Sequence, residues 1–331
     1  MVGTALDEFA LIAELFAPLA AGCPGALGLT DDAAFLAAAP GFDTVVTMDA
    51  MVEGVHFLPD DPPDLIARKL VRVNLSDLAA KGAKPVHVML AAAFVAGTSE
   101  DWLRRFAQGL RQDLEEYGVA LIGGDTVSTP GPLSLTLTAF GRVEAGRGIL
   151  RSGAKVGHDV WLSGSLGDAA LGLKAIRGQL SGVDEGHLSF LAGRYRLPSP
   201  RLRLGQGLVG LAASGMDVSD GLVQDLGHIC RASGVGAEIE AARLPLSRAA
   251  AQAIAGNQSL LALALEGGDD YELLFTADPA LAESLRRLAT ATATPLTPIG
   301  RIVSAESVTA VRVLGADGRP VPTGRGGWRH F

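Results

Sequence analysis

The feature that most constrains this chain is a set of aspartates standing where apolar runs end, many beside glycine: Asp31 and Asp32, Asp49, Asp77, Asp125, Asp217 and Asp220, and Asp269 and Asp270. Singly, each has a plain structural use, because Asp caps helices and makes turns. As a set they point further. Strand ends in α/β folds converge on one rim, and carboxylates gathered there repel one another unless cations lie between them. Oxygen donors of this kind suit magnesium, which keeps several waters and is shared between a few carboxylates and substrate phosphates. The expectation is a mixed α/β chain that handles phosphates through metal ions.

Composition narrows the partners. The 331 residues, at ~150 per domain, make about two domains with substantial cores. With 28 Lys+Arg against 36 Asp+Glu the net charge is −8, so no DNA-binding stripe is implied and no nucleic-acid partner is expected. Cys23 and Cys230 stand far apart with no C-x-x-C, which argues against a disulfide framework or a zinc site and predicts a reducing cytoplasm. Asp7, Glu8 and Glu14 give the N-terminus the wrong charge for a signal peptide. The longest apolar stretch, Pro85 to Gly97, is too short to span a bilayer, so no membrane segment is expected.

Periodicity predicts a helix over 6–20, a strand Thr44 to Met48 ending at Asp49, a helix Pro63 to Lys81 and a strand Pro85 to Val95. A helix Glu100 to Tyr117 follows, then a strand Ala120 to Ile122 entering Gly123-Gly124-Asp125 and a half-exposed strand Leu133 to Val143. The stretch Glu144 to Asp159 lacks periodicity and reads as a connection, placing N-terminal and C-terminal α/β domains at 1–148 and 149–331. The second half opens on a strand Asp159 to Ser163. A helix Leu222 to Ala232 and a strand Tyr271 to Thr276 follow two of its aspartate clusters.

Two phosphate-loop motifs fail on context. Gly205-Gln206-Gly207-Leu208-Val209-Gly210 matches G-x-G-x-x-G, but Ser199 and Pro200 read as a helix start, which puts the glycines inside a helix instead of after a strand. Gly148 to Lys155 is one residue off a Walker A loop and lacks its magnesium-holding hydroxyl.

The run Gly28-Leu29-Thr30-Asp31-Asp32, then Asp49 with Glu53-Gly54-Val55-His56-Phe57, then Val73-Asn74-Leu75-Ser76-Asp77 resembles the thiamine-monophosphate kinase family. Leu121-Ile122-Gly123-Gly124-Asp125-Thr126, Arg151-Ser152-Gly153-Ala154-Lys155, Asp217-Val218-Ser219-Asp220-Gly221 and Gly267-Gly268-Asp269-Asp270-Tyr271-Glu272 extend the likeness in family order. The resemblance implies a two-domain PurM-like fold and a homodimer whose ATP sites lie close to the subunit interface. It implies transfer of the γ-phosphoryl group of ATP to thiamine monophosphate, assisted by several magnesium ions and with no covalent nucleophile.

Carried onto these residues, Asp32, Thr47, Met48, Asp49, Asp77, Asp125, Asp217 and Asp220 are the implied magnesium ligands, Met48 through its backbone carbonyl only. Gly124, Asp125, Arg151 and Ser219 are the implied ATP contacts; His56, Asp269 and Trp328 are the implied thiamine-end contacts. Thr30 stands where the family usually has Gly, and would be strained if that position needs positive φ. Met48 replaces a small hydroxyl residue, and Asp269 stands where Glu is common. Two rival readings are aminoimidazole ribonucleotide synthetase, which shares the architecture, and a non-catalytic Mg-ATP sensor.

Overall fold

The computed structural model describes residues 8–305, 310–321 and 327. The chain divides into two compact units, Met1–Leu78 with Lys84–Gly146, and Ala79–Ala83 with Arg147–Phe331.

The first unit begins with α1 (Glu8–Leu11), which gives way to a π turn, Ile12–Phe16, and a 3-10 turn, Ala17–Ala20. The expected single helix breaks up because Pro18 has no amide hydrogen to carry the α ladder onward. Then come β1 (Phe42–Val52), α2 (Pro63–Ala80), β2 (Lys84–Val95), α3 (Glu100–Tyr117), β3 (Ala120–Thr129) and β4 (Ser134–Glu144). Local signals set α3 at both ends: the Ser99 side chain accepts from the Trp102 amide, and Gly118 stops the helix at φ 63°.

The strands pair in the order β1-β4-β2-β3, antiparallel except for β2 with β3. One face is buried, through Met51, Leu137, Leu135, Leu90 and Phe94, and Phe94 meets Trp102 and Phe106 of α3 edge-on. The other face is open and carries Val46, Met48, Met89 and Val127, all exposed.

The strand lengths correct one expectation. The strand holding Asp49 runs on to Val52 and the strand holding Asp125 runs on to Thr129, so both carboxylates lie inside strands. In this sheet β1, β2 and β3 run in one direction and only β4 runs against them, so the strands that carry Asp49 and Asp125 end on one rim, with both carboxylates lying short of it.

The second unit contains β5 (Asp159–Ser163), α4 (Asp168–Ile176), α5 (Glu185–Arg196), α6 (Leu202–Leu208), β6 (Ser214–Asp217), α7 (Leu222–Ser233), β7 (Val235–Glu240), α8 (Arg248–Gly256), α9 (Leu260–Glu266), β8 (Leu273–Ala277), α10 (Ala282–Thr292), β9 (Leu296–Ser304) and β10 (Val311–Leu314). Its sheet runs β10-β7-β9-β5-β8-β6. Leu222, Leu226 and Ile229 of α7 pack on Leu162, Met216, Leu274 and Ile299 of the strands. A second cluster joins Leu171, Leu191, Ala250, Ile254 and Ala264 from α4, α5, α8 and α9. Gly205 and Gly207 fall inside α6, where a Cβ at Gly205 would lie 2.0 Å from the Ala79 carbonyl, so the glycines serve close packing; the helix starts after Arg201, later than Ser199 implies. Among the described residues, no helix is long and apolar enough to cross a membrane.

Candidate active site

In the first unit, the period of two along β1 turns Thr47 and Asp49 toward α2 and Met48 the other way. The Thr47 hydroxyl donates to Asp77 of α2, and the Asp49 amide donates to Asn74 Oδ1 at 3.1 Å. Asn74 is fully buried and is itself held by Nδ2 donating to the Leu70 carbonyl at 2.9 Å. Thr47, Asp49 and Asp77 are therefore brought together, with Asn74 as a partner that sequence reasoning did not single out. Met48 turns its thioether side chain to the open face, where it is exposed, and its backbone carbonyl is the one oxygen it has.

Asp125 is separated from this group. It pairs with Ala91, which pairs with Thr136, which pairs with Ala50, so these residues share the open face, opposite to Asp49. Gly123 to Thr126 line a pocket at the outer edge of the sheet together with Ile12, Phe16 and Leu29. Gly124 is required there because a Cβ would lie 1.9 Å from the Leu90 carbonyl oxygen; the close approach is to the neighbouring strand. Asp32 is exposed in the irregular segment before β1, its amide bonded to Asp31 Oδ1 at 2.8 Å. Thr30 sits at φ −114°, so it carries no left-handed strain.

His56 occupies a tight loop after β1. Its Nδ1 accepts the Val52 amide at 3.0 Å, which assigns the ring proton to Nε2, and its carbonyl accepts from the buried Lys69 Nζ at 2.9 Å. The ring is thus held as a donor at Nε2.

In the second unit two loops interlock beyond the paired ends of β6 and β8. The Val218 amide donates to the Glu272 carbonyl, Asp269 to Ser219 and Tyr271 to Val218, each at 2.9 Å. This pairing holds the segment of Asp217, Ser219 and Asp220 beside that of Asp269. Gly268 is needed at the crossing, where a Cβ would lie 2.0 Å from the Ser219 carbonyl.

Asp269 and Tyr271 stand at φ 72° and 51°, a region costly for side chains with a Cβ. The residues that alternate with them are anchored in the interior. Asp270 caps the start of α4, accepting the amides of Gly167 at 2.6 Å and Ala169 at 3.0 Å. Burial pushes its carboxyl up to about 7 against the pull of those amides. Glu272, fully buried, accepts from Ser163 Oγ at 2.6 Å, Arg194 Nη2 at 3.0 Å and Arg201 Nε at 2.7 Å. With both neighbours pinned, Asp269 is presented outward, and the Tyr271 hydroxyl donates to its Oδ1 at 3.3 Å.

Arg151 is exposed and makes no ion pair among the described residues. Trp328 lies outside the described residues, although Gly327 beside it packs on Gln224 and the Asp220 carbonyl. Asp225 and Lys69 were not singled out from the sequence, while Asp270 and Glu272 stood within its motifs without their role as buried anchors being read. A weak signal existed for Asp225, an acid in the first turns of a helix that follows a glycine.

The donor sets Thr47, Asp49 and Asp77, and Asp217 and Asp220, are all oxygen, which fits a hard cation. Among the described residues no three His, Cys, Asp or Glu side chains converge as a metal cage. Magnesium does not require one, because it is held by one or two carboxylates with waters and substrate phosphates.

Comparison with known proteins agrees with this architecture. Family models described as AIR synthase related protein, N-terminal domain and C-terminal domain, match residues 30–143 and 155–312. They define the class: two-part AIR synthase-related, PurM-like proteins. A thiamine-monophosphate kinase of Caulobacter vibrioides is 42% identical over 330 residues, covering 98% of this chain and 90% of its own. The crystal structure of thiamine-monophosphate kinase from Stenotrophomonas maltophilia superposes with a TM-score of 0.84 at 40% identity, covering 96% of this chain and 99% of that one. A structure described as AaThiL complexed with AMPPCP and TMP follows with a TM-score of 0.77 at 28% identity, over 98% of this chain and 97% of that one. The chain belongs to the thiamine-monophosphate kinase family.

Proposed function

We propose that this protein transfers the γ-phosphoryl group of ATP to the phosphate of thiamine monophosphate, giving thiamine diphosphate and ADP. A phosphate oxygen of the acceptor forms the new bond to the γ-phosphorus as the bond to the β-bridging oxygen breaks. Positioning and charge neutralisation supply most of such catalysis, so no covalent nucleophile is needed. The observation that carries the reading is the interlocked pair of loops, which sets Ser219 and Asp220 beside the outward-facing Asp269.

In this reading Gly124, Asp125, Arg151 and Ser219 hold ATP, with the exposed Arg151 guanidinium facing phosphate. His56 donates from Nε2 to the thiamine monophosphate, and Asp269, oriented by Tyr271, faces the cationic or amino-bearing part of thiamine. Trp328 would stack on the same aromatic cation. Asp32, Thr47, the Met48 carbonyl, Asp49, Asp77, Asp125, Asp217 and Asp220 would hold magnesium. When bound, the metal supplies positive charge against the transferring phosphoryl group.

We further place the protein in the cytoplasm as a homodimer. The unpaired cysteines suit the former. The open apolar face of the first unit's sheet, with Val46, Met48, Met89 and Val127, suits the latter. That same face carries Asp125, in keeping with a nucleotide site close to a subunit interface. Light scattering tests the dimer, and a monomeric mass would contradict it.

Phosphorus NMR of the protein with Mg-ATP and thiamine monophosphate tests the function. Thiamine diphosphate and ADP should appear, and should be lost on chelation and in folded Asp49→Asn and Asp217→Asn. Near-full activity in either variant would remove the metal assignment, and no product from the wild type would remove the kinase reading.

A further inference from the structure

We propose that Asp225, outside the metal, nucleotide and substrate sets above, is the positioning residue that holds the Ser219–Gly221 loop in its binding geometry; this rests on the kinase reading. Asp225 lies in the first turns of α7 and is 1% exposed. A single oxygen, Oδ2, accepts the amides of Ser219, Asp220 and Gly221, each at 3.1 Å. Three successive amides aimed at one point form a nest of the kind that elsewhere receives an external anion. Here a side chain of the same chain fills it.

The loop so held carries two residues of the site. Asp220 is oriented by Gln224 Nε2, which donates to its Oδ2 at 3.0 Å. The Ser219 carbonyl accepts the Asp269 amide at 2.9 Å, which extends the constraint to the second loop. Gly221, at φ 119°, is a position where the backbone turns freely unless something restrains it. Asp225 supplies the restraint, and it acts through Ser219 and Asp220.

The same geometry separates positioning from charge. The other carboxylate oxygen, Oδ1, is buried and has no hydrogen-bond partner among the described residues. Asparagine, with its oxygen in the place of Oδ2 and its amide nitrogen in the place of Oδ1, keeps all three bonds and removes the charge. Alanine removes all three bonds.

The test compares the full chain as wild type, Asp225→Asn and Asp225→Ala. It reads hydrogen exchange at the Ser219, Asp220 and Gly221 amides, Mn2+ binding by electron paramagnetic resonance without nucleotide, and KM for Mg-ATP against KM for thiamine monophosphate. In Asp225→Ala the three amides should lose protection by roughly tenfold or more, Mn2+ binding should weaken, and KM for Mg-ATP should rise about tenfold. In Asp225→Asn all should stay within about twofold of wild type. Unchanged protection and KM in folded Asp225→Ala, or a folded Asp225→Asn as impaired as Ala, would overturn the proposal. If Asp225→Ala does not fold, Asp225→Asn decides: retained protection and KM support positioning, and lost KM in a folded protein overturns it. A wild type that makes no thiamine diphosphate removes the kinase reading, while the exchange and Mn2+ measurements still judge Asp225.

Discussion

Replacing Glu272 by alanine leaves two guanidinium groups without the carboxylate they share. Glu272 is fully buried, and the side chains of Arg194 and Arg201 are only 13% and 22% exposed. Water therefore reaches the arginines poorly, and removing one partner from such a buried ion pair costs ~3–5 kcal/mol. Partial exposure of Arg201 moves the expectation toward the lower end, about 3 kcal/mol, with Ser163 keeping the Leu273 amide as a partner. For a unit of this size that loss lowers the melting temperature by roughly 6–12 °C, measured by differential scanning calorimetry.

A second substitution checks the cause. Adding Arg201→Met to Glu272→Ala removes one stranded charge, while Arg194 keeps Asp168 at 3.9 Å. The double variant should be more stable than the sum of the two single losses predicts, by about 1 kcal/mol or more. A drop under about 2 °C for Glu272→Ala, or strictly additive losses, would refute the reasoning that desolvated charge locks this loop.

Two further outcomes follow from the same structure. Gly124→Ala forces a Cβ against the Leu90 carbonyl, so it should cost ~1–3 kcal/mol and weaken binding of a non-hydrolysable ATP analogue; calorimetric titration with wild-type affinity would contradict this. Asp270, with its carboxyl raised to about 7, keeps a proton in the folded state that the unfolded chain releases from its ordinary value upward. Its contribution is fully present in acid and fades as pH rises to about 7, by at most about 1.4 kcal/mol per pH unit. Urea melts should show the stability advantage of wild type over Asp270→Asn shrinking from about pH 5 to about pH 7, and parallel curves would count against it.

The sequence by itself determined what short-range physics writes into it. The extent of α3 is readable because its apolar period, the Ser99 cap and the Gly118 stop all lie within or beside the helix. The aspartate-glycine clusters likewise mark Asp217–Gly221 and Gly267–Glu272 as special loops, since turn chemistry depends on neighbouring residues. Even the failure of Gly205 and Gly207 as a phosphate loop is legible from local context.

Only the tertiary structure decided what pairs across long separations. That Glu272 meets Arg201 and Arg194, 71 and 78 residues away, follows from how α5 and the segment before α6 pack on β8, and no local pattern encodes it. The ends of β1 and β3 depend on ladder partners in β4 and β2, which is why Asp49 and Asp125 proved to lie inside strands. Their placement on opposite faces is a matter of register, where one residue of slip would turn each to the other side. Asp225 shows the same limit at short range: four to six residues separate it from its three donors, yet only the folded turn at Gly221 aims all three amides at one oxygen.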